Sequence, residues 1–223
     1  MLRHALAIAA KDLRIELRAR EIVPTMTLFA ALVAVLSSMS MFVDEVTAER
    51  VAPGVLWIAI AFSGTMGLSR TWGREREEGA LRAVLLSRAT PSAIFLGKAL
   101  GAMVFVLATE CVVTPLVALL LHAPVYDHLG PFALIVSLGT VGFVAAGTLF
   151  GALVARTRAR DLLLAVVLYP LVSPALLCGV VATRDLFGGA SLSALGDWLR
   201  LLVIFDLLFI AGGVGLMELL LSE

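Results

Sequence analysis

Apolar residues reach this chain in six long runs, at residues 24–43, 52–68, 93–121, 132–154, 162–182 and 201–221. Each lies near the roughly 20 residues that a membrane-spanning helix requires. The second run is short, and the third is long enough to tilt or to kink at Pro115. Ahead of them the pattern is different. Over residues 2–17, Leu2, Leu6, Ala9, Leu13 and Leu17 recur in steps of three or four, while Arg3, His4, Lys11, Arg14 and Arg18 fall elsewhere around the wheel. This predicts a basic amphipathic helix at the membrane interface. Its charges run through the whole segment, with no short apolar core and small-residue site behind it, so no cleavable signal is expected. Arg20-Glu21 then gives way to Pro24.

Between the second and third runs lies the one long charged stretch, residues 70–91. From Arg74 to Arg88, Leu81, Val84, Leu85 and Leu86 fall at helical spacing, and Arg74, Glu75, Arg76, Glu77, Glu78 and Arg82 take the other positions. That is a second amphipathic helix. Pro91 discourages Thr90 from continuing it, so a break is expected before the apolar run that begins at Ala93. Such a segment suits either a solvated loop lying against headgroups or a docking element whose charged face meets a cytosolic partner.

Composition removes the water-soluble classes. With 61% hydrophobic residues and a mean hydropathy of +1.03, the chain has too little polar surface to cover a soluble fold. Leu, Ala and Val dominate and aromatics are scarce, which suits helices better than the alternating strands of a barrel. The expected fold is all-α, six transmembrane helices in one permease domain over residues 1–223, with residues 1–20 as the interfacial helix.

The formal charge is zero, but its distribution sets an orientation. Fourteen of the seventeen Lys and Arg residues lie in the first helix, in the long charged connection with its flank (Lys98 included), and in Arg156, Arg158 and Arg160. Only Arg50, Arg184 and Arg200 lie on the other side. By the positive-inside rule both chain ends and the charged segment face the cytoplasm, and the loops at 44–51, 122–131 and 183–200 face outward.

Gly97-x-x-x-Gly101 and Gly147-x-x-x-Gly151, with Gly139 and Gly142 earlier in the same run as the latter, let helix backbones approach closely within the chain or across a dimer. No internal repeat of the kind that builds secondary transporters is visible. Glu110 and Asp206 lie deep in the third and sixth runs, where a carboxyl facing lipid is unfavourable, so each should face protein or water. A hydrogen bond to a neighbouring Thr or Ser, a proton relay and a substrate contact are all open to them. Neither has a basic partner at its depth in the sequence, and Lys98 is near enough to a span end to snorkel. His122 and His128, with Tyr126 and Asp127 between them, read as solvated loop residues, and Cys111 and Cys178 as small apolar packers without redox or metal-ligand spacing.

No phosphate-binding Gly-x-x-x-x-Gly-Lys-[Ser/Thr] occurs, since Gly97-Lys98 is followed by Ala99 inside a span. Neither a His-Glu-x-x-His nor a nucleophile elbow is present. The chain therefore does not read as an enzyme, and no catalytic, cofactor-binding or metal-binding residue is assigned. Any energy it uses must come from another polypeptide.

A basic amphipathic start is followed by Ala52-Pro-Gly-Val-Leu-Trp57, then by Arg76-Glu-Glu-Gly79-Ala-Leu-Arg-Ala-Val-Leu-Leu86 with Lys98 after it. Gly139-Thr-Val-Gly142 comes next, and Arg158-Ala-Arg-Asp-Leu-Leu-Leu164 leads to Tyr169-Pro-Leu-Val-Ser-Pro174. In this combination the chain resembles the haem exporter permease family of the cytochrome c maturation system, the CcmB family. The last span matches by little more than hydrophobicity.

The resemblance implies an ABC-2-like, six-span permease in a bacterial inner membrane. It implies a cytosolic ATP-binding-cassette ATPase dimer, a haem-handling membrane protein, a small membrane subunit and a periplasmic haem chaperone as partners, with lipid around them and no nucleic acid. ATP would be used by the partner and haem would be the handled substrate, with no cofactor bound directly. A second copy of the chain would complete the pair of six-span halves such permeases present. The segment at Glu77, Glu78, Gly79, Leu81, Arg82, Val84 and Leu85 resembles the element that sits in the ATPase groove. Arg82 stands where relatives often carry an acid, and Arg88 replaces a position often near a proline.

Two other readings remain open on residues alone: an ion-coupled carrier in which Glu110 and Asp206 titrate, and a passive scaffold for a haem-handling neighbour. The topology they share is directly testable. In intact bacteria, a membrane-impermeant thiol reagent is expected to leave Arg76→Cys and Glu78→Cys unlabelled in a chain lacking its own cysteines. Labelling from outside would place the charged segment on the wrong side.

Overall fold

A computed structural model describes residues 1–40, 45–77, 90–154, 157 and 159–222. Among them there are helices and connections but no strand. The helices are α1 (Leu2–Ala19), α2 (Ile22–Ser40), α3 (Glu45–Glu77), α4 (Pro91–Leu120), α5 (Leu129–Val154), α6 (Arg160–Phe187) and α7 (Gly196–Ser222), with a 3-10 turn at Tyr126–His128. All but α1 are long and apolar enough to cross a membrane.

The helices outrun their apolar cores. Residues 45–51 and 183–187, expected in loops, are helical, and the connection expected at 122–131 contains the 3-10 turn and the start of α5. Charged residues such as Glu49, Arg50 and Arg184 lower hydropathy without breaking a helix, so the polar flank of a span can continue it into water. The prolines do not end helices either: α3 runs through Pro53, α4 through Pro115 and α6 through Pro170 and Pro174. Neighbouring helices and side-chain hydroxyls satisfy the freed carbonyls in such cases. Thr90 does mark a start. Its extended backbone and its Oγ1, which accepts from the Ala93 N–H at 3.3 Å, cap α4 with Pro91 in the first turn.

Helices α3 and α5 form the centre: 72% of each apolar span is buried, against 22–39% for the other four. They run in the same direction, because ascending residues of one meet ascending residues of the other. Trp57 packs on Gly139, Leu68 on Gly147 and Trp72 on Gly151, while Phe143 returns the contact at Gly64. A Cβ at Gly151 would stand 2.5 Å from Trp72 Cδ1, closer than carbon atoms pack. Trp57 also fills the space over Gly179 of α6, where its Nε1 donates to Thr183 Oγ1 at 3.0 Å. The Thr183 hydroxyl in turn donates to the Gly179 carbonyl at 2.7 Å, so this buried indole is satisfied within the bundle.

The remaining spans attach by the same device. Met26 of α2 lies over Gly67 of α3, Phe205 of α7 over Gly142 of α5, and Phe95 of α4 over Gly213 of α7. Helix α2 buries Ile22, Met26, Ala30 and Ala34, one residue every turn, and exposes Leu28, Leu32 and Leu36. The exposed leucines face the place of lipid tails, as an outer helix of a membrane bundle requires.

Cys178 is buried and Cys111 exposed, so only the former packs inside the protein as expected.

Among these notches Gly97 has the least room to adapt, because a Cβ there would come within 2.7 Å of a backbone atom, the Ala5 carbonyl oxygen of α1. Gly97→Leu is expected to destabilise the fold by about 2 kcal/mol through overpacking, lowering the thermal midpoint of the detergent-purified chain by about 6 °C. Gly215→Ala, with nothing within 4 Å of the added carbon, serves as the control. Equal midpoints in differential scanning fluorimetry would remove α1 from the packed structure.

Candidate functional site

The first helix is not uniformly basic on the face that matters. Its buried residues are Ala5, Ala9, Asp12 and Glu16, a 4-3-4 series of small and acidic side chains, while Leu2, Leu6 and Leu17 are exposed. Ala5, Ile8 and Asp12 lie against Gly97 and Gly101, so the glycine pair of the third span serves to seat α1. That close approach carries two carboxylates into the bundle, and each holds a joint.

Glu16 Oε1 accepts from the N–H groups of Ile22 and Val23, at 2.7 and 3.0 Å. A carboxylate there satisfies first-turn donors of α2 and meets the positive end of its dipole. Asp12 acts on a different helix. Its Oδ2 accepts from Lys98 Nζ of α4 at 2.9 Å, and its Oδ1 lies 3.1 Å from Lys11 Nζ. Lys98 is 1% exposed, so it does not snorkel to a span end as its position suggested. The carboxylate that holds it inside is supplied by a helix 86 residues away in sequence.

Lys98 Nζ also lies 5.6 Å from the centroid of the Trp72 ring, in the range of a cation–π contact. Trp72 is the side chain received by Gly151. One contiguous node thus joins α1, α4, α3 and α5: Asp12 to Lys98, Lys98 to Trp72, Trp72 to Gly151. It lies on the stretch of α3 that leads out of the bundle, five residues before that helix ends at Glu77. Glu77 is therefore the terminus of a rod rooted in the core. The other residues expected to form the coupling surface, Glu78, Gly79, Leu81, Arg82, Val84 and Leu85, lie outside the described residues.

Glu110 and Asp206 are both buried, at 5% and 6% exposure. Glu110 Oε1 accepts from Thr140 Oγ1 at 2.5 Å, the tie to a neighbouring hydroxyl that its depth suggested. Asp206 lies against Gly142. Thr140 and Gly142 are two residues apart on α5 and so look to different sides of it. The helix therefore stands between the two carboxyl groups. His122 is exposed, and the described residues contain no group of three or more His, Cys, Asp or Glu side chains able to hold a metal.

Asp12 and Glu16 are hidden in the sequence because the basic residues around them dominate the count. The signal is their spacing: at i and i+4, in phase with Ala5 and Ala9, they share the face a neighbouring backbone can approach most closely.

A family model described as CcmB protein matches residues 3–211 of this chain. Among similar proteins, Heme exporter protein B of Bradyrhizobium diazoefficiens is 28% identical over 183 residues, covering 82% of each chain. That of Paracoccus denitrificans is 28% identical over 186 residues, 82% of this chain and 84% of the relative. That of Pseudomonas aeruginosa is 24% identical over 200 residues, 90% of this chain and 89% of the relative. Because the family match takes in every element from α1 into α7, including the whole Asp12–Lys98–Trp72 node, this chain belongs to the CcmB protein family.

Proposed function

We propose that this chain is the membrane permease subunit of an ABC transporter for cytochrome c maturation. It couples ATP hydrolysis by a separate cytosolic ATPase dimer to haem export or to release of the haem-loaded periplasmic chaperone. It works in a bacterial inner membrane with both chain ends in the cytoplasm, beside a haem-handling membrane protein and a small membrane subunit. It performs no catalysis itself. The names of its relatives support haem and export, and the continuity of α3 supports the coupling.

The observation that carries the coupling is the continuity of α3, from the Trp57 contact in the core to Glu77 at the edge of the charged segment. A partner docked on the charged segment would act beside the end of a 33-residue helix. Its displacement reaches Trp72, and through Trp72 it reaches Gly151 of α5 and the Lys98–Asp12 pair. The last step matters because a buried ion pair resists gradual deformation: opened, it exposes uncompensated charge in a poorly solvated place. The node therefore favours rigid transfer of motion between helices. The ATPase must contact the segment differently in its two nucleotide states, since equal binding to both shifts nothing.

Leu81→Asp or Leu85→Asp is expected to abolish co-purification of the ATPase partner or its stimulated turnover. Unchanged assembly and turnover would remove the coupling role. Trp72→Ala separates docking from transmission: the ATPase is expected to remain bound while cytochrome c maturation falls roughly tenfold, the equivalent of about 1.4 kcal/mol. Glu110→Gln keeps an acceptor for Thr140 and is expected to retain maturation activity. Proton-driven transport by the purified chain alone, lost in Glu110→Gln, would instead favour an ion-coupled carrier.

A further inference from the structure

Where α1 hands over to α2, a cavity of about 300 Å³ lies beside α4. Leu13 and Leu17 of α1, Val23 and Pro24 of α2, and Val104 and Ala108 of α4 line it. Two polar residues border this apolar lining, Glu16 and Arg20. Glu16 is buried and engaged with the amides of α2, whereas Arg20 is exposed. Arg20 is thus the guanidinium at this apolar recess; Arg14 and Arg18, one position on from Leu13 and Leu17 and so turned about 100° from them, do not line it.

The setting restricts what can fill it. Val104 and Ala108 belong to the middle third of the 30-residue α4, and the apolar span of α2 begins at Ile22. The recess therefore opens beside membrane-spanning surface, with an arginine whose charge must reach headgroups or an anion. Arg20 also holds a left-handed backbone, φ 53° and ψ 47°, with its N–H donating to the Glu16 carbonyl at 2.7 Å. Glycine is the usual residue in that helix-ending conformation, because a side chain strains it. An arginine there keeps a guanidinium at the recess despite the strain.

The geometry points to a binding site for an anionic phospholipid, with part of one acyl chain in the recess and the phosphate at Arg20. The volume lies at the small end of ligand cavities, roughly 300–1,000 Å³, and suits a length of hydrocarbon chain. A partner helix, about 10 Å across, would need a longer groove. Charge decides the headgroup: Glu16 is already engaged by the α2 amides, whereas the Arg20 guanidinium can form strong paired hydrogen bonds to phosphate oxygens, and an anionic lipid brings it net negative charge. A lipid held there braces the α1–α2 elbow and keeps Asp12 and Glu16 in their joints.

The test uses the full chain, purified in detergent and stripped of lipid. In native mass spectrometry, phosphatidylglycerol is expected to remain bound and phosphatidylethanolamine and inorganic phosphate to dissociate. Arg20→Gly, which the left-handed backbone accommodates, is expected to weaken retention about fivefold, the equivalent of about 1 kcal/mol for one arginine near an anionic surface. Ala108→Trp fills the recess and should abolish retention, while Arg3→Gln, on the same helix but not lining the recess, should leave it unchanged. Should Ala108→Trp fail to fold, Arg20→Gly still decides. Equal retention of phosphatidylethanolamine, or of phosphatidylglycerol by Arg20→Gly, overturns the proposal. A benzophenone side chain introduced at Val104 in native membranes should form lipid adducts. Cross-links to a second copy or to another polypeptide would assign the recess to protein instead.

Discussion

Lipid tails solvate a leucine about as well as a neighbouring helix does, so a bundle in a bilayer gains little by burying apolar side chains as such. What remains is contact density: many weak dispersion contacts that need backbones or rings brought very close. This chain obtains them by pairing a large side chain on one helix with a glycine on the next. Trp57 on Gly139, Leu68 on Gly147, Trp72 on Gly151, Phe95 on Gly213 and Met26 on Gly67 are repeats of one solution. Each notch admits one knob at one height, so the same contacts that hold the helices together also set their register.

The polar interactions depend on that register. Asp12 reaches Lys98 because Ala5 and Ala9 let α1 settle onto Gly97 and Gly101; with larger residues at those positions the carboxylate would stand off α4. Lys98 lies over the Trp72 ring while Gly151 makes room for the Cδ1–Nε1 edge of the same indole. The ion pair is thus a consequence of close packing, and it adds directionality that dispersion lacks. Through Lys98 and Trp72 it ties the first helix of the chain to the helix whose end adjoins the charged segment, the route on which the proposed coupling rests.

The α1–α2 elbow extends the same logic to the surrounding bilayer. Glu16 closes the start of α2 from within, and Arg20 ends α1 in a backbone conformation that keeps its guanidinium beside an apolar recess. Here the protein's own packing stops short and leaves the recess in which we place a lipid chain.

Much of this architecture is legible along the chain. Six spans follow from apolar length, the helix start at Pro91 from proline sterics, and the close-packing role of Gly97, Gly101, Gly139, Gly147 and Gly151 from small residues at helical spacing. These are local properties, and each needs only a window of sequence to be read. Helix ends are less legible: hydropathy reports where water begins, whereas a helix stops only where its hydrogen bonding or sterics fail, so the helices at 45–51 and 183–187 read as loops. The node is not legible at all. Lys98 reads as a snorkelling cation and α1 as a basic helix, because charge counts carry no information about which side chains share a face across 86 residues. Only the tertiary structure decided that, since a buried ion pair exists through the meeting of two backbones and is a property of neither alone.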